Sequence, residues 1–194
     1  MKKSLLIATC ICVAIAFSCK KKDTSSTNNT NINNNANKFA LSSSSFNDGG
    51  LLPVKYTTDV AKSVFPPLAW VNPPSTTVSY VLIMDDPTPS NVATWKHATT
   101  NWCVFNIPDT CRSISEGINL FYKLPTGANI ANNELGQPQY GPPSPPGVEV
   151  HTYSFRLYAI DCRLTLTDGT TRAKVWSAMQ GHLRDSASFT AHYH

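Results

Sequence analysis

Charge is scarce in this chain and, over most of its length, evenly split. Only 14% of the 194 residues are Asp, Glu, Lys or Arg, and residues 38–194 hold 11 basic and 11 acidic side chains. The net charge of +4 therefore comes from the first 37 residues, where five lysines (Lys2, Lys3 and Lys20 to Lys22) face the single Asp23. A balanced domain offers no field for gathering nucleic acid or an anionic membrane, so the basic isoelectric point carries no functional message. Apolar runs of membrane-spanning length are missing too: Leu5 to Phe17 has 13 residues, short of the roughly 20 a spanning helix needs. Proline and glycine are absent before residue 49, and then 14 and 9 of them follow. A domain so rich in turn-formers argues against helical bundles and coiled coils. No fixed-period repeat is present, which removes solenoids and propellers. Metal-site spacings such as His-Glu-x-x-His or, after the leader, Cys-x-x-Cys are absent as well, and Ser144 is not in a Gly-x-Ser-x-Gly elbow. No metal and no cofactor are expected.

The first 37 residues read as an address rather than a fold. Lys2 and Lys3 precede the apolar Leu5 to Phe17, and Ala16-Phe17-Ser18-Cys19 resembles the bacterial lipobox. Residues 1–18 are expected to be a lipoprotein signal, with Cys19 acylated as the mature N-terminus and held on a membrane by its acyl chains. Asp23 to Asn37 is Asn, Ser or Thr at 12 of 15 positions, too polar to offset the entropy of ordering. Residues 19–37 are thus an acylated cysteine and a disordered tether, roughly 20 Å end to end as a coil. Residues 38–194 form the domain, expected in a bacterial cell envelope as a lipid-anchored periplasmic or outer-membrane protein. Its three cysteines, Cys103, Cys111 and Cys162, are an odd number, and Cys103 and Cys162 lie in apolar strand-like runs, so no essential disulfide is expected.

Within the domain the periodicity is that of strands. Tyr80 to Met84 is a continuous apolar run stopped by Asp85-Asp86-Pro87, which suits a strand buried on both faces, and Trp102 to Ile107 repeats the design before Pro108. From His151 the pattern alternates, with His151, Tyr153, Phe155, Leu157 and Ala159 sharing the apolar side. Shorter strands are expected at Phe39 to Ser42, Leu51 to Tyr56, Ile118 to Tyr122 and Leu164 to Thr167. One helix is expected over Thr171 to Asp185, with Trp176, Met179 and Leu183 on its apolar side and Thr170 or Thr171 as N-cap. The fold class is mainly β, two packed sheets with one short C-terminal helix.

Two strand ends can present side chains to a ligand: Asp85 to Pro89, and the loop Gly141 to Gly147 leading to His151. Taken alone, Asp85-Asp86 is commonly a solvated turn and His151 a satisfied histidine near the core. Their order along the chain carries more. Ser42 to Leu52 with Pro53 and Tyr56, Phe65-Pro66-Pro67-Leu68-Ala69-Trp70, Asp85 to Pro89, Trp102 to Pro108, and Tyr140-Gly141-Pro142 through His151-x-Tyr153-x-Phe155 to Asp161 occur in one sequence. Together they resemble the phosphatidylethanolamine-binding protein family, specifically its bacterial branch, the Raf kinase inhibitor-like proteins, from about Phe39 to Tyr193.

The resemblance implies a two-sheet β fold with a small anion pocket at one end of the larger sheet. Carried over residue by residue, it assigns Asp86, His151 and Tyr153 to that pocket, with Gly141 and Pro142 as a wall. It places Asn101 where the family has a histidine, and Thr88 where its motif has a second Asp. Asn101 can donate and accept but cannot become cationic, so phosphate affinity should be lower. His97, in a lengthened loop, is a candidate substitute. Tyr193 resembles the family's C-terminal tyrosine near the pocket mouth and is left outside the core site.

The expected function is a membrane-tethered binding protein for a small anionic or zwitterionic ligand, engaging or inhibiting a protein partner. A phosphate or carboxylate would accept from protonated His151, the Tyr153 hydroxyl and loop amides, while Asp86 orients the imidazole. The alternative is a hydrolase using Asp86 and His151 as an acid–base pair, for which no nucleophile is evident. A metal shared by His192, His194 and His182 is a further, weaker option.

Overall fold

The computed structural model describes residues 37–87, 99–118, 124–145 and 149–194. The signal and tether, including Cys19, lie outside the described residues, as do Thr88, Pro89, His97, Tyr122, Pro146 and Gly147. Eleven strands are described: β1 Ala40–Ser42, β2 Gly50–Leu51, β3 Val64–Phe65, β4 Leu68–Val71, β5 Ser79–Asp86, β6 Thr99–Pro108, β7 Ser113–Ile114, β8 Gly117–Ile118, β9 Asn129–Ile130, β10 His151–Ile160 and β11 Leu183–Tyr193. One α-helix, α1, covers Arg172–Met179. The larger sheet has six strands in the order β2-β11-β10-β5-β6-β9, and β1-β4-β7 form a second sheet of three. A two-stranded ribbon joins β3 to β8. The fold is mainly β with two sheets and one helix, as the turn-rich composition implied.

The central strands β5, β6 and β10 explain their own sequences. All eight residues of β5 are buried, because the sheet is covered on both faces and a strand in that position has no solvent side. One face carries Tyr80, Leu82, Met84, Trp102, Val104, Phe155 and Leu157, packed with Phe39, Leu41, Leu68, Trp70 and Ile114 of the smaller sheet. The other carries Val81, Ile83, Cys103, Phe105, Tyr158 and Ile160 under Val175 and Met179 of α1. Phe155 faces Phe189 across the β10–β11 ladder with ring centroids 4.9 Å apart and planes 10° from parallel. Each such fully buried ring contributes roughly 1.5–3 kcal/mol by leaving water.

Three expected elements differ from those observed. Leu51 to Tyr56 is not one strand: β2 stops at Leu51, and Pro53, at φ −59°, leads a 3-10 turn over Val54–Tyr56 that the proline ring favours. Leu164 to Thr167 forms no ladder. The side-chain amide of Asn106 takes the place of a neighbouring strand, donating to the Leu164 carbonyl at 3.0 Å and accepting from the Leu164 N–H at 2.8 Å. The strand expected at Ile118 to Tyr122 lies outside the described residues except for Ile118, which ends β8. The helix is the largest difference. Thr171 caps it as expected, accepting from the Lys174 N–H, but it ends at Met179, and Gly181 turns the chain at φ +83°. Leu183 then begins β11, and the buried side of the helix is Val175 and Met179. The final strand was obscured because its inward positions alternate alanine with aromatics, Ala187, Phe189, Ala191 and Tyr193, a weak apolar signal.

Cys103 is buried in β6, whereas Cys162 lies in a bend after β10, not within a strand. Both, and Cys111, are free thiols.

Candidate functional site

Asp85 and Asp86 end β5, and strand alternation sends them to opposite faces of the sheet. Neither is a solvated turn: they are 1% and 4% exposed. Asp86 follows Tyr80, Leu82 and Met84 onto the face shared with the smaller sheet. There its Oδ2 lies 2.6 Å from His151 Nδ1, both side chains nearly excluded from solvent. His151 is held at the start of β10 by its pairing with Tyr193 of β11, and its ring stacks 6.5 Å from that of Tyr153, two residues on.

Burial, reinforced by the nearby Asp86 carboxylate and Tyr193, pushes the Tyr153 phenol well above its ordinary pKa. It remains a neutral O–H donor at any physiological pH. Tyr193 donates its own hydroxyl proton to Asp59 Oδ2 and accepts from Thr57 Oγ1. The hydrogen bond to Asp59 is the main reason its pKa is also raised. Asp86, His151 and Tyr153 are thus brought into one buried cluster, with Tyr193, Thr57 and Asp59 beside it.

The other three expected residues form the wall of an adjoining cleft. Asn101 Nδ2 donates to the Gly141 carbonyl at 2.9 Å, and the Gly141 N–H donates to the Asn101 carbonyl at 2.7 Å. This two-way clamp fixes the start of the proline-rich loop. A Cβ at Gly141 would stand 3.1 Å from both the Asn101 carbonyl oxygen and Asn133 Nδ2, so a side chain there would force its neighbours to give by a few tenths of an ångström. Asn101, Gly141 and Pro142 line a cavity of about 450 Å³ together with Thr58, Thr99 and Ser144. Asp86, His151 and Tyr153 are not among its lining residues, but Thr99 is the ladder partner of Asp86 on β6. The Asn101 amide is therefore committed to the loop through its nitrogen, while its Oδ1 is buried and has no hydrogen-bond partner among the described residues.

Behind the site, on the opposite face, Asp85 Oδ2 accepts from Arg172 Nη2 of α1 at 2.8 Å. Burial raises the Asp85 pKa, and Arg172 opposes the rise. Sequence reasoning missed Thr57, Asp59 and Arg172 because each meets its partner across at least 87 residues, and no local spacing encodes such a contact. Tyr193 was legible from the resemblance alone. The three-histidine arrangement is not assembled. His182 and His192 stand at opposite ends of β11, with His182 Nδ1 on Asp161 Oδ1 and His192 Nδ1 on Thr152 Oγ1.

Residues 42–194 match the phosphatidylethanolamine-binding protein family. A UPF0098 protein of Methanothermobacter thermautotrophicus is 38% identical over 154 residues, covering 79% of this chain and 97% of that protein. The UPF0098 protein YbhB of Escherichia coli is 29% identical, over 78% of this chain and 97% of its own length. Among solved structures, a phosphatidylethanolamine-binding protein homolog from Chlamydia trachomatis superposes with a TM-score of 0.70 at 29% identity, covering 82% of this chain and 99% of that one. The Escherichia coli protein YbcL shares the fold, with a TM-score of 0.70 at 24% identity over 80% of this chain and 97% of its own. With the match spanning the strand ends that carry Asp86, His151 and Tyr153, the chain belongs to the phosphatidylethanolamine-binding protein family.

Proposed function

We propose that this protein is a lipid-anchored envelope binding protein. Its Asp86–His151–Tyr153 cluster takes a small anionic or zwitterionic group of the phosphate or phospholipid-headgroup kind, and it engages or inhibits a protein partner through the same end of the fold. The family fits a non-catalytic binding protein, not an enzyme. The observation that carries the reading is the 2.6 Å contact between Asp86 and His151 inside a nearly dry site. A carboxylate on Nδ1 fixes the ring, which leaves Nε2 as the nitrogen to meet an anion. The Tyr153 phenol, kept neutral by its surroundings, supplies a second donor. Asp59 and Asp86 would repel a bare dianion, whereas a ligand carrying an ammonium beside its phosphate satisfies both signs.

The test is a titration of the protein with phosphate, phosphoethanolamine and acetate at pH 6 and pH 8, following the histidine ring NMR signals. Saturable shifts that strengthen at pH 6 and vanish in His151→Ala support the pocket. No shift at millimolar ligand overturns it. Anchoring is tested separately: Cys19→Ala should release the protein from membranes, and a variant that resists a carbonate wash would sink the lipoprotein reading.

A further inference from the structure

At the end of the larger sheet, where β10 leaves the ladder and β11 enters it, Asp161, Cys162 and His182 bring three different donor atoms within 4.8 Å of one another. We propose that this corner is a binding site for a borderline divalent transition metal of the Zn²⁺ class.

The donors come from two segments that the backbone holds in place. The ladder is irregular between Ala159 and Ile160, and Ile160 pairs directly with Leu183, so the chain opens immediately beyond that pair. The Asp161 N–H donates to the His182 carbonyl at 3.1 Å, and the His182 N–H to the Met179 carbonyl at 3.1 Å. Ser79 Oγ donates to the Cys162 carbonyl at 2.5 Å, fixing the bend that carries the thiol. Three backbone restraints thus orient three side chains toward one point, where the left-handed turn at Gly181 lets the imidazole fold back.

The donor set selects the metal class. A carboxylate, an imidazole and a thiolate are poor ligands for magnesium or calcium, which take oxygen, but together they suit a tetrahedral zinc with its fourth position open to water. Bonds of about 2.0–2.3 Å put neighbouring donors about 3.5 Å apart, so closure needs a movement of about an ångström from these exposed or half-buried side chains. Without metal, Asp161 Oδ1 lies 2.8 Å from His182 Nδ1, and Oδ2 pairs with Arg184. Entry of the metal sends the Cys162 thiol proton to solvent, moves the His182 Nδ1 proton to Nε2 or to solvent, and replaces the His182–Asp161 contact with two metal bonds. Arg184 competes for the carboxylate and should weaken binding.

Titrating the full-length protein with Co²⁺, a spectroscopic stand-in, should give one equivalent with thiolate-to-metal charge-transfer absorption, and Zn²⁺ should displace it. The band should disappear in Cys162→Ser. Affinity, read by competition with a chromogenic chelator, should fall at least about tenfold in His182→Gln and rise several-fold in Arg184→Gln. Both last positions are exposed, so folding is retained. Failure of the wild type to take up metal, or a band that survives in Cys162→Ser, overturns the assignment.

Discussion

Asp85 and Asp86 are consecutive residues whose carboxylates are held on opposite faces of one sheet, Asp86 by His151 at 2.6 Å and Asp85 by Arg172 at 2.8 Å. The first pair faces the candidate pocket, and the second ties the same strand end to α1. A ladder irregularity between Met84 and Asp85 in the β5–β6 pairing marks where the strand adjusts to carry both. The two pairs are therefore separated by a single peptide unit.

Removing the imidazole should separate binding from folding. His151→Ala takes a nearly buried partner from the Asp86 carboxylate and should cost about 1–3 kcal/mol in stability, read as a lower urea midpoint with an unchanged slope. Asp86→Asn keeps a hydrogen-bonding group and should cost less. Both should weaken anion binding by about tenfold or more, since charge-assisted hydrogen bonds are roughly twice as strong as neutral ones.

Arg172→Met removes the countercharge of a carboxylate whose side chain is 2% exposed, and should destabilise by about 3–5 kcal/mol at neutral pH. The pH dependence has a definite sign. Burial raises the Asp85 pKa in the folded chain, so the native state holds this proton more tightly than the unfolded state. The stability associated with Asp85 is full below the ordinary carboxylate value of about 4 and declines as pH rises through the folded value. The decline should be steeper in Arg172→Met than in wild type. Thermal midpoints that rise with pH across that window in the variant would contradict this account.

The inter-sheet core should be unforgiving at Phe155, which is fully buried and stacked on Phe189. Phe155→Ala is expected to lose about 3–5 kcal/mol, whereas Phe155→Leu should lose less. Equilibrium urea unfolding measures both.

Asn106 should be more sensitive than its polar character suggests. Its backbone sits at φ +55°, and its amide satisfies both backbone groups of Leu164. Asn106→Leu would leave the buried N–H and C=O of Leu164 without that partner, at about 1–3 kcal/mol for each unmet group. Hydrogen exchange at the Leu164 amide should accelerate by more than the global loss of stability explains.

The strands whose sequences state their environment were legible. Tyr80 to Met84 and Trp102 to Phe105 are apolar throughout because both faces are covered, and β10 alternates because its sides differ. Leu164 misled because an apolar residue followed by threonines looks like a strand until the asparagine that satisfies its backbone is located 58 residues away. The helix was extended too far because Leu183 continued a plausible 3.6-residue spacing across a glycine that in fact reverses the chain. In the site, Asp86, His151 and Tyr153 could be named from strand ends and family motifs. Asp59 and Arg172 could not, because their roles exist only once distant segments are adjacent. Asn101 could be named from the family motif, but its clamp on Gly141 depends on the path of a proline-rich loop that spacing does not describe.

Because β11 lies inside the sheet between β2 and β10, and Tyr193 pairs with His151, vectorial synthesis has a direct consequence here. A growing chain can form β5, β6 and β10 early, but β10 then presents one unpaired edge until β11 has left the ribosome, and Phe155 lacks its stacking ring until Phe189 has. Strand β2, made early, waits about 140 residues for the partner it meets at Ala191 and His192. Until then the nascent domain carries an open, apolar strand edge of the kind that chaperones hold.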